Sequence, residues 1–218
     1  GVLQLAETGG GWRPVRTVLS GLGTRAMSVD ERGTLWVATD AGLWRLASLS
    51  AGRRPLLVTS ALRRIDMIST DAHGGLWIYD DDQGLVRWTD DRRLEPVPLP
   101  AALRYLHVGA GYTDASGRVW LGFTNGQVAI VDRIGGIQTY GVREGLDAGG
   151  CRLIYADSRG TVWVVGGRAV ARFAGGRFET MPQTHGLPVN ATGVAEDASG
   201  GLWFGSASGI ARLTPHDF

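Results

Sequence analysis

The chain contains no lysine. All its basic residues are arginine, 22 of them against 21 acidic residues, which leaves a formal net charge of +1 over 218 residues. So even a balance sets up no field that would gather phosphate backbones or acidic lipid headgroups, and nucleic acid is not an expected partner. Arginine in place of lysine supplies fork-shaped donors suited to carboxylates and aromatic faces, although the codon bias of a GC-rich genome yields the same composition. Cys151 is alone, so neither an intrachain disulfide nor a cysteine-based metal cage can form. No run of about 18 apolar residues occurs, and the opening Gly1-Val2-Leu3-Gln4 has neither the basic flank nor the apolar core of an export signal. The chain as given is expected neither to span a membrane nor to export itself. Lacking an initiator methionine, it reads as a piece of a longer protein whose targeting segment would lie outside it.

What the chain has in excess is glycine and tryptophan. Thirty-four glycines among 218 residues are roughly twice the usual share, and five of the eight tryptophans fall into a repeat. Five segments copy one pattern, Asp-x-x-Gly-x-(Leu/Val)-Trp: Asp30 to Trp36, Asp71 to Trp77, Asp114 to Trp120, Asp157 to Trp163 and Asp197 to Trp203. Successive tryptophans stand 41, 43, 43 and 40 residues apart. A second mark follows each Trp, a glycine and then a short apolar stretch that usually carries an arginine, as in Gly42-Leu-Trp-Arg45, Gly84-Leu-Val-Arg87 and Gly209-Ile-Ala-Arg212. A period near 40 fits propeller blades or paired helices; period-2 alternation, β-branched and aromatic residues, and turns every eight to twelve residues select strands.

The expected fold is all-β: a β-propeller of about five four-stranded blades, residues 1–218 forming one propeller domain or fragment. Strand one precedes the Asp (Ala26 to Val29, Gly193 to Glu196), and strand two runs through the Trp (Leu35 to Thr39, Leu202 to Gly205). Strand three follows the second glycine (Leu43 to Leu46), and strand four lies at Arg53 to Val58, Ile137 to Tyr140 and Arg177 to Thr180. Helix content should be near nil. In each copy the Asp carboxylate can accept bonds from its own turn, the glycine supplies a positive φ, and the Trp forms a flat wedge between neighbouring blades. Asp30, Trp36, Asp71, Trp77, Asp114, Trp120, Asp157, Trp163, Asp197 and Trp203 are therefore read as scaffold. Val2 to Ala6 and Trp12 to Val15 look like strands three and four of a further blade. Two architectures remain open, a closed five-blade ring and an arc of a larger, seven-blade type of propeller.

The run from Gly176-Arg-Phe through His185-Gly-Leu-Pro188 to Asp197, Trp203 and Gly209-Ile-Ala-Arg212 resembles the two-component regulator propeller repeat, as does Gly135 to Trp163. The resemblance covers essentially the whole chain. It implies the periplasmic sensor propeller of a bacterial histidine kinase, hybrid two-component system or diguanylate cyclase, anchored in a membrane by other parts of the protein. It also implies an oligosaccharide or other small nutrient as ligand, partnership with further blades and signalling domains of the same protein, and a homodimer.

Binding is expected on the face that carries the loops between strands two and three and between one blade's strand four and the next strand one. On it lie Tyr79, Asp81 and Asp82, Arg143 and Glu144, and His185 and Asn190, which offer planar donors and acceptors for sugar hydroxyls. Calcium takes about six to eight oxygens, more than the single loop Asp80 to Asp82 supplies, so that loop is read as a solvated turn. His73, His107, His185 and His216 occupy different places in their repeats, so no metal and no cofactor is called for. Asn190-Ala191-Thr192 satisfies a glycosylation sequon that nothing else in the sequence supports. The main expectation is a sensor without catalysis, and the first alternative is a protein-interaction or dimerisation scaffold. The streptogramin lyases, which share a similar Asp-x-x-Gly-x-Val-Trp propeller, suggest a third reading in which His185 and Glu144 stand where that family has a catalytic histidine, a glutamate and magnesium.

Overall fold

A computed structural model describes residues 1–47, 53–71, 74–89, 93–104, 106–181, 187 and 190–214. Its contacts divide the chain into two compact units, Gly1–Pro98 and Leu99–Phe218. The first unit contains the hairpin β1 (Val2–Thr8) and β2 (Gly11–Val18), then the four-stranded meanders β3 (Thr24–Val29), β4 (Leu35–Thr39), β5 (Gly42–Leu46), β6 (Leu56–Thr59) and β7 (Ile65–Thr70), β8 (Leu76–Asp80), β9 (Gly84–Trp88), β10 (Leu94–Pro96). The second contains β11 (Val108–Thr113), β12 (Val119–Phe123), β13 (Val128–Val131), β14 (Ile137–Tyr140), and β15 (Cys151–Ala156), β16 (Val162–Gly166), β17 (Val170–Ala174), β18 (Arg177–Thr180). A three-stranded sheet of β19 (Gly193–Glu196), β20 (Leu202–Ser206) and β21 (Gly209–Leu213) completes it. Among the described residues the one helical piece is a single 3-10 turn, Val142–Glu144.

Each meander is antiparallel in sequence order, so every repeat is one sheet, as its spacing predicts. Strand four of the first full sheet starts at Leu56, three residues later than Arg53, directly after Pro55, which has no amide to donate to a ladder. The second strand of four sheets, β4, β8, β12 and β16, is buried along its whole length. A central strand with its ladder filled on both sides and both faces covered needs apolar residues throughout, which is why Leu35-Trp-Val-Ala and Val162-Trp-Val-Val show no alternation.

The motif residues hold the sheets in two ways. In the third copy Asp114 Oδ1 accepts the amides of Ser116 and Arg118 (2.9 and 3.1 Å), while Oδ2 accepts the indole Nε1 of Trp120 at 3.0 Å. Asp30, Asp157 and Asp197 repeat this division between turn amides and indole. Gly117 permits the turn with φ 79°. The Trp then packs onto the next sheet: the Trp120 ring meets Phe173 of β17 edge-on at 5.0 Å, and Trp163 clusters with Leu202, Phe204 and Leu213. The same happens in the first unit, where Trp36 packs with Ile68, Ile78 and Trp88.

Two copies hold the indole differently. In the second, among the described residues, Trp77 Nε1 is buried without an acceptor; Asp71 Oδ2 instead takes Arg87 at 3.1 Å, and that guanidinium lies over the Trp77 ring. Arg87 stands directly across the ladder from Trp77, as Arg212 does from Trp203. In the third copy Ile130 occupies the cross-strand place. Arg118, from the turn, takes over both contacts there, to Asp114 at 2.8 Å and over Trp120.

Candidate functional site

Four of the five first strands carry a β-bulge at one repeat position. The register slips between Thr24 and Ala26, Ile65 and Met67, Val108 and Ala110, and Cys151 and Leu153. The bulged residues Arg25, Asp66, Gly109 and Arg152, with Thr192 at the corresponding position of the fifth copy, each lie five residues before the motif aspartate. Their neighbours on either side are mostly apolar, yet this position changes from copy to copy between cation, anion, glycine and hydroxyl. A bulge turns its extra side chain out of the ladder, so the scaffold offers one re-aimed side chain per sheet at the loop end of its first strand.

In the second unit these positions open onto a pocket of about 490 Å³ lined by Gly109, Thr124, Gly150, Cys151, Arg152, Gly167 and Thr192. Its walls are held by backbone bonds between consecutive elements: Thr124 N donates to His107 O (3.0 Å), Gly167 N to Gly150 O (3.0 Å) and Arg168 N to Ala148 O (2.8 Å). Glycine is required where two backbones approach. A Cβ at Gly109 would collide with the Cys151 carbonyl, and one at Gly150 with the Thr124 carbonyl. The Cys151 side chain turns inward against Gly122, and burial pushes its thiol up to about 12. Arg152 and Thr192 are exposed. Among the described residues Arg152 makes no ion pair or hydrogen bond, so the pocket carries one uncompensated cation and no carboxylate in its lining.

The residues singled out from the sequence fall in several places. Tyr79 is 1% exposed; burial, with the nearby Asp81 and Asp66 carboxylates, raises its hydroxyl above the ordinary value. Asp80, likewise 1% exposed, closes its own turn by accepting the amides of Arg64, Asp82 and Gln83. Asp81 and Asp82 both bind the Arg64 guanidinium, at 2.9 and 3.2 Å. Arg143 and Glu144 sit in the exposed 3-10 turn, where Glu144 Oε2 accepts the Gly141 amide at 2.8 Å. Asn190, at φ 57°, brings its Oδ1 to 3.4 Å from where a Cβ on Gly167 would stand. Among the described residues of that set, it adjoins the pocket through Gly167. His185 lies outside the described residues. The pocket lining itself was not anticipated, although one signal was present: a repeat position that varies in charge while its flanks stay apolar.

No family model matches the chain, and no curated protein matches it. Solved structures do. The extracellular domain of a hybrid two-component system from B. thetaiotaomicron superposes with a TM-score of 0.74 at 19% identity, covering 94% of this chain and 29% of that one. Virginiamycin B lyase from Staphylococcus aureus gives 0.67 at 15% identity, covering 88% and 70%. YCF48 from Cyanidioschyzon merolae gives 0.67 at 16%, covering 98% and 74%. The chain has a β-propeller fold. It spans under a third of that extracellular domain, and the likeness, at these identities, is one of fold. Among the described residues no helix is long and apolar enough to cross a membrane.

Proposed function

We propose that this propeller is the ligand-sensing part of an extracytoplasmic signalling receptor and binds a small molecule without transforming it. The observation that carries the reading is the pocket on the loop side of β11, β15 and β19, built from the varying bulge position on a rigid glycine-lined frame. Its volume lies in the range of small-ligand sites. Sensor domains of two-component systems among the structural neighbours support the signalling role and the extracytoplasmic location. Against turnover stands the chemistry of the lining, where the Cys151 thiol is held protonated. Glu144, the acid of the lyase-like reading, is engaged as a turn cap.

The test is a thermal-shift screen of the purified chain against mono- and oligosaccharides, amino acids and carboxylic acids, since a ligand that binds the folded state raises its melting temperature. One chemical class should give a saturable shift that Thr192→Trp, filling the pocket from an exposed position, removes. A shift that survives Thr192→Trp would move the site elsewhere. Consumption of the ligand during the incubation would make the protein an enzyme.

A scaffold role is the second reading, favoured by the apolar residues that the β1–β2 hairpin exposes: Leu3 at 53%, Leu5 at 46% and Trp12 at 67%. A neighbouring structure of YCF48 is described as bound to D1 peptide. A concentration-independent dimer in light scattering, with a flat ligand screen, would favour it.

A further inference from the structure

We propose that the pocket takes a hydroxylated monocarboxylate, of the size of a sugar acid, whose carboxylate is gripped by Arg152; this rests on the ligand-binding reading above. Repeat equivalence is the first support. At the same bulge position of the first unit Arg25 and Asp66 answer each other at 3.2 Å. In the second unit the corresponding positions are Gly109 and Thr192, so Arg152 finds no carboxylate from an adjacent sheet, and among the described residues it has no partner at all. Glycine at 109, required by the close approach of the Cys151 carbonyl, brings no carboxylate to that position. The scaffold that neutralises its own cation in one place presents it in the other.

Charge and geometry then narrow the ligand. A planar guanidinium offers parallel donors that match a carboxylate in two-point fashion. With one cation and no other charge in the lining, a monoanion balances the pocket, whereas a phosphate dianion would leave a negative charge uncompensated in it. The remaining polar side chains are the Thr124 and Thr192 hydroxyls, each exposed. A hydroxyl both donates and accepts, as do the hydroxyls of a polyol, so the rest of the ligand is expected to be hydroxylated and uncharged. The volume of about 490 Å³ leaves room for such a body beyond the carboxylate.

Isothermal titration of the full chain with gluconate, glucuronate and galacturonate tests this, beside glucose, glucuronate methyl ester and glucose 6-phosphate. The expected result is saturable binding of a sugar acid and weakening by about tenfold or more for its neutral counterpart, the effect of losing a charge-assisted contact. Arg152→Gln should reproduce that loss and Arg152→Lys should recover part of it. Melting temperature should stay unchanged in both variants, because the side chain is exposed at a bulge. Affinity should also fall as salt rises. Equal binding of neutral sugars, indifferent to Arg152→Gln, would overturn the carboxylate inference and leave the sensor reading standing, as would a preference for glucose 6-phosphate. Absence of binding by all six probes overturns the inference; if the wider screen is flat too, the sensor reading falls with it.

Discussion

Four of the five motif aspartates, all but Asp71, divide their two oxygens between a turn and an indole, and that division explains why the Asp and the Trp recur together six residues apart. Oδ1 closes the turn that starts strand two, and Oδ2 fixes the rotation of a ring that packs against the next sheet. The value of the ring depends on whether the next sheet is there to receive it. Trp120 is 1% exposed and Trp163 fully buried, but Trp203 is 42% exposed. Trp120→Ala should therefore cost about 3–5 kcal/mol in urea unfolding, and Trp203→Ala only about 1 kcal/mol. Equal costs would show that the indole-to-carboxylate bond rather than burial is what matters. Cys151 yields a second residue-scale expectation. Its thiol is buried and held protonated, so an aromatic disulfide reagent at pH 8 should leave it unmodified in the folded protein and react within minutes in denaturant. Rapid native labelling would mean that the inner strand opens.

Sheets meet where side chains vanish. Gly122, the fourth of the five residues of β12, faces the Cys151 side chain of β15 so closely that a Cβ there would collide with Sγ and stand 2.8 Å from the cysteine Cβ. Gly122→Ala should destabilise by about 1–3 kcal/mol through overpacking, and Gly122→Ala combined with Cys151→Gly should cost less than the two single changes summed. Strict additivity in thermal or urea unfolding would mean that the sheets part freely. The Asp-x-x-Gly-x-x-Trp copies, their spacing and the scarcity of helix among the described residues were readable from the sequence because each rests on local turn chemistry and periodicity. Strand order also settles which loops share an end, and the residues lining the pocket stand at one such end. The pocket was not readable residue by residue. A bulge is a slip in hydrogen-bond register that no composition rule marks, and Arg152 looks from its neighbours like one more arginine on a strand. At Tyr79 to Asp82 the sequence shows a run of polar residues, whereas the structure buries Tyr79 and Asp80 and pairs Asp81 and Asp82 with Arg64.

For the whole molecule, the repeated acids and buried hydroxyl and thiol groups set a pH range of stability. Burial alone would raise the Asp114 carboxyl, but bonds from Trp120 and from the amide and guanidinium of Arg118 outweigh it and hold the group below the ordinary carboxylate range. Asp197 is also held low, by the Ser199 hydroxyl, then Arg212, Trp203 and the Gly201 amide. A carboxyl whose folded value lies below its unfolded one, near 4, contributes fully above about pH 4 and loses that contribution as pH falls through the folded value. At the other end burial raises the Cys151 thiol from 9.0 to about 12, and raises the Tyr112 and Tyr155 hydroxyls. For these groups the folded state favours the neutral form, so their contribution is complete at neutral pH. It declines once pH passes the unfolded value, near 9 for the thiol and near 10 for the phenols. Melting temperature should accordingly be level between about pH 5 and 8 and fall on both sides. Cys151→Ala separates the two alkaline causes: if the thiol sets the first decline, the variant should hold its melting temperature up to about pH 10, where the tyrosines begin to ionise in the unfolded chain. A decline that still begins near pH 9 in Cys151→Ala would remove the buried thiol as its source.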